Sequence, residues 1–147
     1  MRNILVLGAG KSSISLIDYL VKHAPAQQWQ ITVADVSAEV ALQKTKNRKH
    51  TRAMAFDFGS EPARSALIKQ ADVVISMLPA FMHPTIAEDC IKHRKHLVTP
   101  SYISEAMLGL HDEAKKRGLV FMNEIGLDPG IDHMSSMQVI DQLKAEG

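Results

Sequence analysis

Six short apolar runs, each followed by a longer stretch with helical spacing, constrain this chain more than any other feature. The runs cover residues 3–7, 29–34, 52–56, 72–78, 96–99 and 119–122. The first (NILVL) and the fourth (DVVISML) are nearly continuous in apolar residues, as a strand covered on both faces must be. The intervening stretches, 11–23, 38–47, 62–70, 84–94, 104–117 and 131–145, read as helices. Ser37 is placed to cap the second. Pro62 opens the third, where a missing N–H has no intrahelical partner, and Gly118 closes the fifth. Strand and helix alternating six times, with short connections, demand right-handed crossovers that lay helices on both faces of a parallel sheet. The expected fold class is therefore α/β, a doubly wound six-stranded parallel sheet.

A length of 147 residues suits one domain. The expectation is a domain over 1–130, with 131–147 beginning the connection to a further part of a longer polypeptide. That last helix carries Met134, Met137 and Ile140, which call for something to pack on. Seventeen basic against sixteen acidic residues give a net charge of +1, which excludes an electrostatic pull toward nucleic acid or an acidic membrane surface. The 46% apolar content excludes a disordered chain. A single cysteine, Cys90, excludes a disulfide framework and suits a reducing, cytoplasmic setting. No apolar run approaches the roughly 18 residues needed to span a bilayer. His93 and His96 flank Arg94 and Lys95, unfavourable surroundings for a metal, and no metal site is expected. Cys90 reads as a buried thiol, and the eight methionines as core filler.

Gly8-Ala9-Gly10-Lys11-Ser12-Ser13 joins the first strand to the first helix. Gly8 permits a tight turn with positive φ. Gly10 lets the backbone approach a pyrophosphate with no Cβ in the way, and the helix start offers unpaired N–H groups to the phosphates. The third position of the fingerprint is Ser13 instead of Gly or Ala. Gly-Lys-Ser also resembles the end of a nucleoside-triphosphatase loop, but that motif needs a glycine where Leu5 stands. The reading is a Rossmann-like NAD(P)-binding domain. Asp35 ends the second strand at the distance where an acid accepts from the adenine ribose hydroxyls and repels a 2′-phosphate. With no arginine following it, the residue chemistry favours NAD over NADP.

In this fold the ligand lies across the carboxyl ends of the strands. Asp57-Phe58 ends the third strand and can bracket the adenine. Leu78-Pro79-Ala80 ends the fourth, with Pro79 turning the backbone over the cofactor. Ser101-Tyr102 follows the fifth. After the sixth come residues 123–133, where two Gly, one Pro, two Asp, one Glu and one His crowd into eleven positions. Asp128 and Tyr102 can reach a substrate beside the nicotinamide, and a carboxylate with a phenol can hold or relay protons during amine oxidation. The bland alternatives stay open: Asp128 as a turn residue before Pro-Gly, Tyr102 as helix-entry packing, and Asp132 with His133 as a capping pair.

Taken together, Gly-Ala-Gly at the first turn, DVVISMLP (72–79), His83-Pro84, VTPSYIS (98–104) and MNEIGLDPGIDH (122–133) closely resemble the saccharopine dehydrogenase family, its glutamate-forming (saccharopine reductase) members above all. The resemblance spans nearly the whole chain. It implies an oxidoreductase of lysine metabolism, acting on a CH–NH group with a nicotinamide cofactor. Such an enzyme interconverts saccharopine with glutamate and 2-aminoadipate 6-semialdehyde through an imine. The implied pyrophosphate contacts are Ala9, Gly10, Lys11 and Ser12. Asp35, Val36 and Ser37 would face the adenosine ribose, and Asp57 and Phe58 the adenine. Leu78, Pro79 and Ala80, then Leu127, Asp128 and Pro129, would run along the ribose and nicotinamide. Ser101, Tyr102 and Asp128 would touch the amino-acid substrate, with Tyr102 and Asp128 the catalytic pair. NADP-using relatives carry arginine where this chain has Val36. A homodimer stays open. The resemblance places a substrate domain beyond residue 147 and implies that the chain by itself binds dinucleotide with little or no turnover. Two rival readings are a related reductase of polyamine-derived imines (carboxynorspermidine type) and a non-catalytic dinucleotide-sensing domain.

Overall fold

A computed structural model describes all residues, 1–147. Its centre is one parallel six-stranded sheet in the order β3-β2-β1-β4-β5-β6. The strands are β1 (Arg2–Leu7), β2 (Trp29–Asp35), β3 (Thr51–Ala55), β4 (Val73–Ser76), β5 (His96–Val98) and β6 (Phe121–Met122). β1 is flanked in register by β2 (Leu7 opposite Ala34) and by β4 (Leu7 opposite Ser76). The chain winds outward to β3, then crosses back to β4. That reversal opens a crevice at the carboxyl ends of β1 and β4, the place where such sheets bind ligands.

The two faces follow from the period of two along β1. Ile4 and Val6 point to one side, where Ile31 and Val33 of β2 meet Ile17, Leu20, Val21 and Ala24 of helix α1 (Ile14–Gln27) and Ala41 of α2 (Ala38–Thr45). Leu5 and Leu7 point to the other, where Val74 and Leu97 meet Ile68 of α3 (Glu61–Lys69), Ile86, Ala87 and Cys90 of α4 (His83–His93), and Met107 of α5 (Glu105–Gly109). The remaining helices are α6 (His111–Lys116) and α7 (Ile131–Glu146). Cys90 is buried, and burial pushes its thiol pKa up, which keeps it protonated and inert.

One ion pair ties this second layer together. Arg64 of α3 donates from Nε to Asp89 of α4 at 2.7 Å and from Nη1 to the Phe58 carbonyl at 3.0 Å, with both charged residues buried. Removing either partner would strand a charge in the interior, the costly half of a buried pair.

Several local expectations change. The stretch read as one helix over 104–117 is two, broken at Leu110, and only Phe121–Met122 of the sixth run pairs as strand. The first helix begins as a single 3-10 turn at Lys11–Ser13 and runs through Pro25 to a left-handed Gln28. The methionines are not uniformly core filler. Met107 is buried and Met54, Met77 and Met82 pack at its edge, but Met1, Met122, Met134 and Met137 are exposed. α7 has no buried residue, so Met134, Met137 and Ile140 lie uncovered. No helix is long and apolar enough to cross a membrane.

Candidate functional site

The phosphate loop is set by two glycines with different needs. Gly8 sits at φ +94°, and a Cβ there would meet the Met77 carbonyl oxygen at 3.0 Å. The loop therefore packs directly on the end of β4. Gly10 has an ordinary φ of −63°, and a Cβ there would meet nothing within 4 Å. The space beside it is open, which is what a ligand lying against the backbone requires. The first intrahelical bond runs from Ser13 N–H to the Gly10 carbonyl at 3.2 Å. The N–H groups of Gly10, Lys11 and Ser12 precede it and remain available to an anion. Lys11 and Ser12 are exposed on that rim, and the Ser13 hydroxyl closes the turn by donating to the Gly10 carbonyl at 2.8 Å. These residues fit a dinucleotide diphosphate.

The Ala9 amide is turned toward Asp35 and not toward the open side of the phosphate loop. Ala9 N–H donates to one Asp35 carboxylate oxygen at 2.7 Å, and Ser37 N–H donates to the other at 3.1 Å. Asp35 thus clamps the first two loops of the crevice together, and both its oxygens already hold backbone partners. Ser37 caps α2, accepting from Val40 N–H at 3.3 Å. Val36 is 76% exposed and forms a shallow hollow with Ala55, Phe56 and Asp57, the space on this edge that could receive an adenine. Asp57 folds back on its own turn, accepting from Gly59 N–H at 2.9 Å. The ring of Phe58 is buried edge-on against Phe56, with centroids 5.1 Å apart, so it offers no stacking face and the expected bracket reduces to Asp57.

Past β4, Leu78 packs on the core edge, while Pro79 and Ala80 are exposed where the backbone turns over the crevice. The loops after β5 and β6 are zipped to each other. Glu124 N–H donates to the Ser101 carbonyl at 3.1 Å, Ile125 N–H to the Thr99 carbonyl at 3.2 Å, and Ile103 N–H to the Glu124 carboxylate at 3.0 Å. Gly126 lies against Pro100, where a Cβ would meet Pro100 at 3.1 Å. Residues 126–130 then close on themselves. Gly126 N–H donates to the Pro129 carbonyl at 2.9 Å and Ile131 N–H to the Gly126 carbonyl at 3.0 Å, around a cis Asp128–Pro129 peptide. Leu127 is left 75% exposed at the tip, and Pro129 is buried behind it.

This zipper brings the expected pair together: the Tyr102 hydroxyl donates to Asp128 Oδ1 at 2.6 Å. The hydrogen bond to the Asp128 carboxylate holds the phenol proton, and the Tyr102 pKa is pushed up to about 12. Asp132 accepts from Gly130 N–H and lies 2.9 Å from His133 Nδ1 at the start of α7, but neither side chain caps the helix, whose N-cap is Gly130. Asp128, Asp132 and His133 converge closely enough to resemble a metal cluster. One atom of each is engaged: Asp128 Oδ1 by Tyr102, Asp132 Oδ1 by Gly130 N–H, and His133 Nδ1 beside that same Asp132 oxygen. His93 and His96 have separate partners, Ser65 and Val120 N–H.

One group escaped the sequence reading. His83, at the start of α4, is buried, with Nδ1 2.9 Å from Ser76 Oγ and Nε2 2.8 Å from Ser101 Oγ. Ser76 is the last residue of β4. A histidine beside Pro84 at a helix entry was the only available signal, and the sequence alone gives no hint that it bridges two loops.

A family model described as "Saccharopine dehydrogenase NADP binding domain" matches residues 4–122. The chain is 35% identical to the NADP(+), L-glutamate-forming saccharopine dehydrogenase of Pyricularia oryzae over 99% of its own length and 32% of the relative's. It is 37% identical to an alpha-aminoadipic semialdehyde synthase of Arabidopsis thaliana over 94% of its length and 15% of that protein's. The apo structure of the L-Glu-forming saccharopine dehydrogenase of Saccharomyces cerevisiae superposes with a TM-score of 0.87 at 34% identity, covering 99% of this chain and 32% of that one. The chain thus spans about a third of the length of the dehydrogenases and less of the synthase. The family description and the names of the fungal relatives specify NADP, which overturns the expectation that NAD is favoured. The Asp35 carboxylate is anchored by the Ala9 and Ser37 amides and keeps further lone pairs for a ribose, so its type and position alone do not choose between the two cofactors. Val36 in place of arginine does not decide the cofactor either. By sequence and by fold, the chain belongs to the saccharopine dehydrogenase NADP-binding domain family.

Proposed function

We propose that this chain supplies the NADP-binding domain, and one wall of the active site, of an oxidoreductase acting at the CH–NH bond of saccharopine. Removal of a hydride from the CH–NH carbon and a proton from the nitrogen would give an imine, and one water adding to its C=N bond would release glutamate and 2-aminoadipate 6-semialdehyde. The observation that carries this reading is the 2.6 Å Tyr102–Asp128 bond, built by two loops at the same sheet edge as the phosphate loop. A nicotinamide bound there supplies the hydride acceptor. The amides of Gly10, Lys11 and Ser12 hold the diphosphate, and Leu78, Pro79 and Ala80 line the path toward β5. Ser101, Tyr102 and Asp128 face the amino acid. Asp128 Oδ1 is occupied by the phenol, so Oδ2 is the oxygen that can take a proton from the substrate nitrogen, while protonated Tyr102 steadies the carboxylate. A substrate-binding part covering this wall would position the reactants and limit water to the molecule that the imine consumes. The lone buried Cys90 supports a cytoplasmic site of action.

The test has two arms. The chain alone is titrated with NADPH and NADH, with tighter binding of NADPH expected. In the enzyme that carries this domain, Asp128→Ala is expected to lower saccharopine turnover by about a hundredfold or more, the scale of a lost proton-transfer group, with NADPH affinity nearly intact. Unchanged turnover would leave a dinucleotide-binding module without the catalytic role.

A further inference from the structure

Three side chains form a continuous hydrogen-bonded line from the sheet interior to the cleft: Ser76, His83 and Ser101. Ser76 has no solvent-exposed surface, His83 is 2% exposed, and Ser101 is half-buried where the β5 loop faces the crevice. Both ring nitrogens of His83 are engaged, 2.9 Å from Ser76 Oγ and 2.8 Å from Ser101 Oγ. No buried side-chain polar atom in the molecule lacks a partner.

The direction of the bonds along this line decides what Ser101 can recognise. Burial lowers the His83 pKa and keeps the ring neutral, so one nitrogen donates and the other accepts. Ser76 Oγ makes no other side-chain bond. A buried hydroxyl that only accepted from Nδ1–H would leave its own proton without an acceptor, whereas one that donates leaves only a spare lone pair. Buried donors without partners are the rarer and costlier case. Ser76 therefore donates to Nδ1, Nε2 carries the ring proton, and Nε2–H donates to Ser101 Oγ. The Ser101 hydroxyl proton then has no partner within the chain and is directed outward.

We propose that Ser76 and His83 are positioning residues that fix Ser101 as a hydrogen-bond donor toward the cleft, and that the group it meets is a carboxylate of the substrate. The opposite polarity would present a lone pair and suit an ammonium group. The substrate half of this proposal rests on the saccharopine reading; the relay half stands on the contacts alone.

The relay is tested on the chain itself, labelled with ¹⁵N-histidine, by two-bond ¹H–¹⁵N spectra that report each ring's tautomer. Neutral His83 protonated at Nε2 is the expected result, and protonation at Nδ1 overturns the relay. The carboxylate contact is tested in the enzyme that carries this domain, with His83→Phe, Ser101→Ala and the double variant. Each single change should raise KM for saccharopine by about ten- to a hundredfold, the scale of one hydrogen bond to a charged group. The KM for NADPH and kcat should stay within about twofold. The double variant should be no worse than either single one, because the two residues act through one contact. Additive losses, or a drop in kcat alone, would overturn the positioning role. If the wild-type enzyme ignores saccharopine while His83 shows the Nε2 proton, the substrate reading and the carboxylate contact fall together and the relay stands.

Discussion

The loop after β1 and the loop after β6 each carry two glycines at the same edge of the sheet, yet the glycines answer to different demands. In the first loop one glycine serves the fold and one serves a ligand: Gly8 has a left-handed φ and presses on Met77, while Gly10 has an ordinary φ and nothing beside it. In the last loop both serve the loop itself. Gly130 sits at φ +149°, and a Cβ there would run into the Gly126 carbonyl oxygen, while Gly126 is held against Pro100. A glycine required by its own chain shows a clash, whereas one required by a bound molecule shows empty space.

The sharpest way to break this contrast is at Gly130. An alanine there pairs a strained backbone, about 1–3 kcal/mol, with overpacking of similar size, about 1–3 kcal/mol. For a domain of this length Gly130→Ala should lower Tm by about 10 °C. It should also release Asp128 from Tyr102, since residues 126–130 set the carboxylate's position. Calorimetry with a tyrosine titration checks both, and an unchanged Tm would mean that the closed turn contributes nothing.

Gly8→Ala tests the same demand where only one neighbour is close. Its positive φ and the 3.0 Å approach to Met77 O give an expected loss near about 2 kcal/mol, read as a Tm lower by about 5 °C. Gly10→Val is the converse. With nothing within 4 Å of its Cβ, the variant should melt within about 2 °C of the wild type. NADPH should bind about tenfold or more weakly, since the added methyls fill the space left for phosphate. A variant that binds NADPH normally would show that the open space beside Gly10 is not where the diphosphate lies.

The fold was legible because burial on both faces writes itself into local pattern. The continuous run at 3–7 predicts a central strand, and β1 sits between β2 and β4. Helix ends were less legible. Gln28, Lys46 and Arg94 take left-handed φ at the ends of α1, α2 and α4, a role in which glycine gives warning and these residues do not. In the site, Tyr102 and Asp128 announced themselves through crowded, chemistry-rich loops. Asp35 misled on the choice of cofactor, because its type and position suit a ribose without settling the 2′-phosphate, and its contacts with the Ala9 and Ser37 N–H groups arise only from how two loops meet. Ser76, His83 and Ser101 lie on three separate segments, and only the packing of α4 over β4 and β5 assembles them.

The smallest effect concerns the pair that the last loop positions. The phenol proton of Tyr102 is held by the Asp128 carboxylate, so the folded-state pKa is raised to about 12, above the value near 10 of a free tyrosine. A raised acid stabilises the fold fully below its unfolded pKa, and the contribution disappears as pH climbs through the folded one. The pair's contribution is therefore constant through neutral pH and lost between about pH 10 and pH 12. Because Tyr102 and Asp128 are exposed, solvent screening keeps the change in global stability small, and the ultraviolet absorbance of tyrosinate is the better reporter. In a Tyr19→Phe background, leaving Tyr102 as the only tyrosine, ionisation should be delayed toward pH 12. Asp128→Asn should bring it back toward the free value, because the amide can still accept the hydrogen bond but no longer carries the charge. A titration that the Asn variant leaves unmoved would mean that the two loops do not hold these side chains together in solution. The catalytic reading of Asp128 would then lose its geometric basis even if the phosphate loop behaves as expected.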